Sequence, residues 1–314
     1  MNHICYNILL LPGAIIKFSM ATQETIAVQR ADCNDCTFSV LIPSWNNLPY
    51  LQNCISSIQK NSSFKHQIIV HVNEGKDGTL DWIKSQPDID YTWSSKNIGL
   101  CYGLNMGRTL VKTPYIVYIN DDMYVCPGWD NAFMDEIKSI GHNSFFLNGT
   151  SLEPYPGNSC TIYKDYGTDI QSFNEAALLK EFNDIEKADW RSSSWCPNII
   201  SVSTWDAIGG YSVEYSPGFY SDPDFAMKLW HAEVRLFKGI SKSRAYHFGS
   251  KSTGRIKKYK AYFLFIRKWG MTAGTFTKHY LRMGQEFTGP LTEPILTQKI
   301  KIKSWWNRLQ ATFK

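Results

Sequence analysis

Two short acidic clusters are the most chemically capable features of this 314-residue chain. The first, Asn120-Asp121-Asp122, directly follows the apolar run Tyr115-Ile-Val-Tyr-Ile119. Adjacent carboxylates at the end of a buried strand repel each other unless they share a cation. Hard oxygen donors in a site that also receives phosphates suit Mn²⁺ or Mg²⁺. A surface turn or a helix cap is the structural alternative for such a pair. The second cluster is Tyr220-Ser-Asp-Pro-Asp-Phe225. Carboxylates such as Asp222 and Asp224 are capable of general acid or base work. Asp222-Pro223 also reads as a helix N-cap followed by Pro at the first helical position. His247, in Ala245-Tyr-His-Phe-Gly249, adds an imidazole; a lone His near a loop is more often a packing residue.

The cysteines carry less. Eight of them, irregularly spaced, do not make a disulfide scaffold in a chain of this length. Cys33-Asn-Asp-Cys36 is a single CxxC with no second pair and no adjacent histidine, so two loop thiols are expected rather than zinc or redox chemistry. Their usage fits a reducing cytosol.

The elements that must hold the acidic clusters follow from the hydrophobic pattern. Phe38–Pro43, Gln67–Asn73, Tyr91–Trp93 and Tyr115–Ile119 read as buried strands. Leu48–Lys60, Thr79–Lys84 and Ile98–Val111 between them read as helices. This alternation predicts an α/β fold, a mostly parallel sheet wrapped by helices, with ligands at the carboxyl ends of the strands. Those ends are polar: Pro43-Ser-Trp-Asn46, Asn73-Glu74 and Asn120-Asp-Asp122. The apolar fraction of 43% excludes a disordered chain, and no apolar run reaches the ~20 residues of a membrane-spanning helix. Ile4–Ile16 lacks the basic flank of a signal peptide and is broken by Pro12-Gly13. Met20 offers an alternative start.

Six pieces, in order, resemble the family 2 glycosyltransferases of the nucleotide-diphospho-sugar transferase-like (GT-A) fold. They are VLIPSWNN (40–47), VNEGKDGT (72–79), NIGLCYGLNMG (97–107), YIVYINDDM (115–123), Ala207-Ile-Gly-Gly-Tyr211 with the second acidic cluster, and the His247 segment. The resemblance covers roughly Thr37 to Ser252. It implies a metal-dependent inverting glycosyltransferase, with Mn²⁺ or Mg²⁺ as cofactor and a nucleotide-diphospho-sugar donor, UDP-sugar favoured. Asp122 would ligate the metal, with His247 as a second ligand, and Asp121 would face the donor ribose or bridge through water. Pro43, Asn46, Asn73, Glu74, Asn97 and Gly99 would line the donor site. An Asp usually reads uracil at the end of strand two; Val72-Asn73-Glu74 departs from this and leaves the base open. Asp77 is expected to brace its turn. Asp222 aligns with the base, ahead of Asp224, while Ser221 replaces a common Glu whose role Glu214 could meet. Gly249–Thr253 resembles a loop that closes over the diphosphate. A catalytically inactive relative that binds a nucleotide sugar or a glycan is the alternative. A nucleotidyltransferase lacks support, because no Gly- and basic-rich phosphate loop follows strand one.

Charge divides the chain. From Lys251 onward, 14 Lys and Arg face only Glu286 and Glu293, while the first 250 residues carry a net −7. Ile302, Trp305, Trp306, Leu309 and Phe313 fall on one helical face among Lys299, Lys301, Lys303 and Arg308. Tyr259, Tyr262, Phe263, Ile266 and Trp269 repeat the arrangement upstream. Basic amphipathic helices with Trp suit an anionic membrane surface; packing against the catalytic body is the alternative. No nucleic-acid module accompanies the basic residues. Trp195, Trp205 and Trp230 lie nearest the expected acceptor segment, each more readily a core residue than a sugar platform. The expected organisation is an extension over 1–36, a catalytic domain over 37–252 and a basic helical region over 253–314. Such a protein would be cytoplasmic, peripheral on the inner face of the membrane, and would act on a glycan or lipid-linked glycan.

Overall fold

The computed structural model describes residues 15–20, 23–249 and 259–313. Residues 4–14 of the signal-like stretch and 250–253 of the expected closing loop lie outside these.

One sheet organises the chain, built from β1 (Ile15–Met20), β2 (Gln23–Val28), β3 (Ser39–Trp45), β4 (Gln67–Asn73), β5 (Asp90–Ser94), β6 (Tyr115–Tyr118), β7 (Met123–Val125), β8 (Phe145–Glu153), β9 (Ile162–Tyr163), β10 (Trp190–Arg191), β11 (Asn198–Ser201) and β12 (Leu236–His247). Their order is β1-β2-β5-β4-β3-β6-β11-β8-β12-β10, with β7 on β12 and β9 on β8. The centre, β5-β4-β3-β6, is parallel, as the strand–helix alternation requires. β11 enters antiparallel between β6 and β8.

Helices cover both faces: α1 (Leu48–Asn61), α2 (Thr79–Ser85), α3 (Gly99–Arg108), α4 (Trp129–Ile140), α5 (Glu175–Glu181), α6 (Val202–Ile208), α7 (Ser221–His231), α8 (Tyr259–Trp269), the single turn α9 (Ala273–Thr275) and α10 (Gln298–Thr312). Side chains alternate across a strand. Val40 and Ile42 therefore meet α1 and α4 through Leu51, Ile55, Trp129 and Phe133. Leu41, between them, meets α3 and α7 through Leu104, Phe225 and Leu229. Every residue of β4 is buried, the polar Gln67, His71 and Asn73 included.

The folded body exceeds the expected 37–252. β2 pairs antiparallel with β5, so part of the 1–36 extension is a strand of the sheet. The Arg30 and Ala31 amides both donate to Asp90 Oδ1, the latter at 2.8 Å, fixing the chain where it leaves β2. At the other end, Phe265, Phe276, Leu281 and Leu291 are buried in the core beneath α3 and α7. The Tyr262–Trp269 stripe is accordingly a packing face, closed by Ile266 at 1% exposure. Only α10 lies outside this core. Among the described residues, no helix is long and apolar enough to cross a membrane.

Candidate active site

A cavity of about 430 Å³ opens at the carboxyl ends of β3, β4 and β6. Pro43, Asn73, Asn97, Gly99, Asp121, Asp122 and Asp222 all line it. Asn46, Glu74 and His247 do not; the first two bond to each other beside Trp45, and His247 stands behind Asp122. Glu74 Oε2 accepts from Trp45 Nε1 at 2.7 Å and from Asn46 Nδ2 at 3.3 Å, and Oε1 accepts from Lys76 Nζ at 2.9 Å. These donors, Trp45 foremost, hold the Glu74 carboxyl below its ordinary range. Asp77 accepts from the Leu48 amide at 2.8 Å and from Thr79 Oγ1 at 2.6 Å, the expected turn brace.

On the β4 side, Asn73 Oδ1 accepts from the Ile98 amide at 2.8 Å and from Ser94 Oγ at 3.3 Å. A backbone N–H is an obligate donor, so the orientation of this side-chain amide is fixed and its NH₂ is the group left over. The amides of Gly99 and Leu100 are also engaged, by Asn97 Oδ1 at 2.8 Å and Pro217 O at 3.0 Å. Glycine is required at 99 for two reasons, a φ of +80° and a backbone approach that would bring any Cβ within 2.5 Å of Pro217 Cα. The close neighbour there is the chain itself.

Asp121 and Asp122 are buried in the turn between β6 and β7. Burial, and then the neighbouring Asp122 carboxylate, push Asp121 up to about 7. Strand register brings the third member: β7 pairs with β12 so that Met123 faces His247, leaving Asp122 Oδ1 3.4 Å from His247 Nε2. β8 runs parallel to β12 with Leu152 opposite Tyr246, which sets Glu153 Oε1 3.1 Å from His247 Nδ1. Burial opposes charge on this imidazole, but Asp122 and Glu153 together outweigh it and raise His247 to about 10. Glu153 was not legible as a site residue, because its partner lies 94 positions away.

Among the described residues, no group of three His, Cys, Asp or Glu side chains is arranged to hold a metal ion by itself. The donor chemistry nonetheless fits a hard divalent cation. Two adjacent buried carboxylates, one forced towards neutrality by burial and by the other's charge, are relieved by a shared positive charge. Mg²⁺-type sites commonly use one or two carboxylates and complete their shell with substrate phosphates.

Across the cavity, α7 begins at Ser221 after Tyr220 at φ +66°, so Asp222 sits inside the first turn and is not the N-cap. The partial positive charge of that helix end favours carboxylates there. Asp222 is pushed up to about 7 by burial, and its Oδ1 has no hydrogen-bond partner among the described residues. Asp224, completely buried, accepts from Trp269 Nε1 at 2.8 Å and lies 2.9 Å from Lys268 Nζ. Glu214 is drawn to the same Lys268 at 2.8 Å and does not line the cavity, so it does not stand in for the Glu absent at 221. Trp205 and Trp230 are core residues, and Trp195 is 36% exposed. Cys33 and Cys36 form a turn, and the seven described cysteines are free thiols.

Known proteins resemble this arrangement. Residues 39–154 match the family model described as Glycosyl transferase family 2. No curated protein matches the sequence at a significant level. The crystal structure of S. aureus TarS 1–349 superposes with a TM-score of 0.54 at 12% identity, over 88% of this chain and 72% of that one. The same fragment in complex with UDP gives 0.52 at 10% identity, over the same shares. GalNAc-T7 with UDP, GalNAc and Mn²⁺ gives 0.54 at 14% identity, over 90% of this chain but 55% of that one. At these identities the structural likeness speaks for the fold, while the family match covers β3 to the end of β8 and its acidic turn. Residues 39–154 thus match the family 2 glycosyltransferases, and the chain around them has the GT-A fold of TarS and GalNAc-T7.

Proposed function

We propose that the cavity binds a nucleotide-diphospho-sugar and transfers its sugar, with inversion, to a hydroxyl of a glycan or lipid-linked glycan. The observation that carries this reading is one cavity lined on one wall by Asp121 and Asp122 and on the other by Asp222, a half-buried carboxylate with one enclosed, unpartnered oxygen. A UDP-sugar is favoured because TarS and GalNAc-T7 were both crystallised with UDP. Pro43, Asn73, Asn97 and Gly99 form the nucleotide end. The Asn73 NH₂ is the donor available to a base carbonyl, since its own oxygen is engaged. Asp122 and His247 would hold Mn²⁺ or Mg²⁺, with Asp121 supporting and Glu153 orienting the imidazole. When bound, that ion supplies positive charge to the leaving diphosphate.

Asp222 accepts the acceptor hydroxyl's proton while the hydroxyl oxygen bonds to the anomeric carbon. The bond from that carbon to the diphosphate oxygen breaks, and its electron pair leaves with the nucleotide. Attack opposite the leaving group inverts the centre. A carboxyl held near 7 is well matched to this task at neutral pH. It also favours an enzyme over a binding-only relative, which has no use for an acid that faces the cavity with no cation beside it among the described residues. Free thiols at the described cysteines favour the reducing cytoplasm. A panel of nucleotide sugars assayed for hydrolysis with Mn²⁺, with Mg²⁺ and with chelator tests the reading. One donor or more should be hydrolysed only with metal; a folded protein that neither binds nor hydrolyses any of them would overturn it.

A further inference from the structure

Helix α10 is packed inside out. Its residues that lose exposure are Ile300, Ser304, Asn307 and Ala311, of which only Ala311 is fully buried, and the helix it packs against is α8. At 100° per residue these four form one narrow stripe. Directly opposite lie Ile302, Trp305, Trp306, Leu309 and Phe313, exposed to between 38% at Leu309 and 80% at Phe313. A helix that only needed to pack would bury its large apolar side chains and expose the small polar ones. Here the reverse holds. The Trp305 and Trp306 rings meet edge to face at 5.0 Å, so the aromatic surface is continuous.

Charge identifies what this face meets. Lys299, Lys301, Lys303 and Arg308 flank the aromatic stripe on both sides, and α10 contains no acidic residue. Among the described residues, none of these four cations has an ion-pair partner. A second copy of the chain would bring like charges together around the apolar centre. An anionic lipid surface supplies both complements, an apolar layer at headgroup depth for Trp and Phe and negative charge for the flanking cations.

We propose that α10 lies in the surface of an anionic membrane, with Trp305, Trp306 and Phe313 inserted at the headgroup level. The proposal goes beyond the donor-site reading and stands on residues remote from the cavity. The test uses the full chain with phosphatidylcholine vesicles, with vesicles containing phosphatidylglycerol, and with a soluble RNA as a competing polyanion. Co-sedimentation with the anionic vesicles should be clear, should weaken in high salt and should be accompanied by a blue shift in tryptophan emission. Trp305→Ser/Trp306→Ser, at exposed positions, should leave the melting temperature unchanged and weaken vesicle binding by about tenfold or more. Absence of vesicle binding by the wild-type protein would overturn the proposal. So would binding that the double substitution leaves intact, or RNA binding tighter than vesicle binding. Donor hydrolysis in solution should be the same in both proteins, so a failure here is distinct from a failure of the catalytic reading.

Discussion

Asp222 and Asp224 stand two residues apart in the first turn of α7 and have opposite surroundings. Each has one oxygen without a hydrogen-bond partner among the described residues, but the first lines the cavity, while the second is closed off from solvent with its Oδ1 held by Trp269 and Lys268. Asp222→Asn should therefore lower turnover by about 10²–10⁴-fold with little change in nucleotide affinity. Asp224→Asn should act mainly on stability, by about 1–3 kcal/mol, because Lys268 keeps Glu214 while losing its buried partner. Steady-state kinetics beside thermal melts separate the two. A greater turnover loss in Asp224→Asn at equal stability would exchange their roles.

The raised Asp222 value also fixes the sign of two pH dependences. As a base it must be ionised, so kcat/KM should climb with pH and level off above about 7. Its folded value lies above the unfolded ~3.9, so the stability it contributes is fully present below that and is lost as pH rises through about 7. Asp222→Asn should accordingly melt higher than wild type at pH 8 and at the same temperature at pH 4. Equal melting temperatures at both would show that the carboxylate is not buried as described.

Asp122→Asn should abolish transfer and Mn²⁺ binding in a protein that remains folded. Electron paramagnetic resonance of added Mn²⁺ reads the binding directly. Wild-type turnover in excess chelator would remove the metal from the reaction.

In the metal-free protein His247 holds its proton because carboxylates stand at both ring nitrogens, and it must release the proton from Nε2 before that nitrogen can ligate an ion. Glu153→Gln removes one of those charges, so the His247 value should fall below its present level of about 10. Nitrogen-detected NMR titration of the metal-free protein would follow it. No change would mean that Asp122 alone sustains the imidazolium.

Much of this site was legible before any coordinates. Four buried strands with polar ends, the Asp121-Asp122 pair and the second acidic cluster are all local patterns, and local patterns survive folding. What escaped depends on pairing between distant segments. Glu153 joins the site only through the registers of β8 and β12, and β2 joins the sheet only because β5 has a free edge. Asn46 and Glu74 were named for the donor but brace Trp45, a distinction of side-chain direction that spacing does not carry. The aromatic stripe of α10 was visible as a pattern. That it faces outward was not.

One contact gives these elements a common frame. Lys268, near the end of α8, grips Asp224 of α7, while α10 rests on α8. Three helices thus act as a strut running from the aromatic face to the helix that carries Asp222. Whatever surface fixes α10 in space also fixes the orientation of the cavity mouth. The direction from which an acceptor hydroxyl arrives is then a property of the scaffold rather than of chance encounter. For a substrate confined to two dimensions, orientation of that kind would matter as much as affinity.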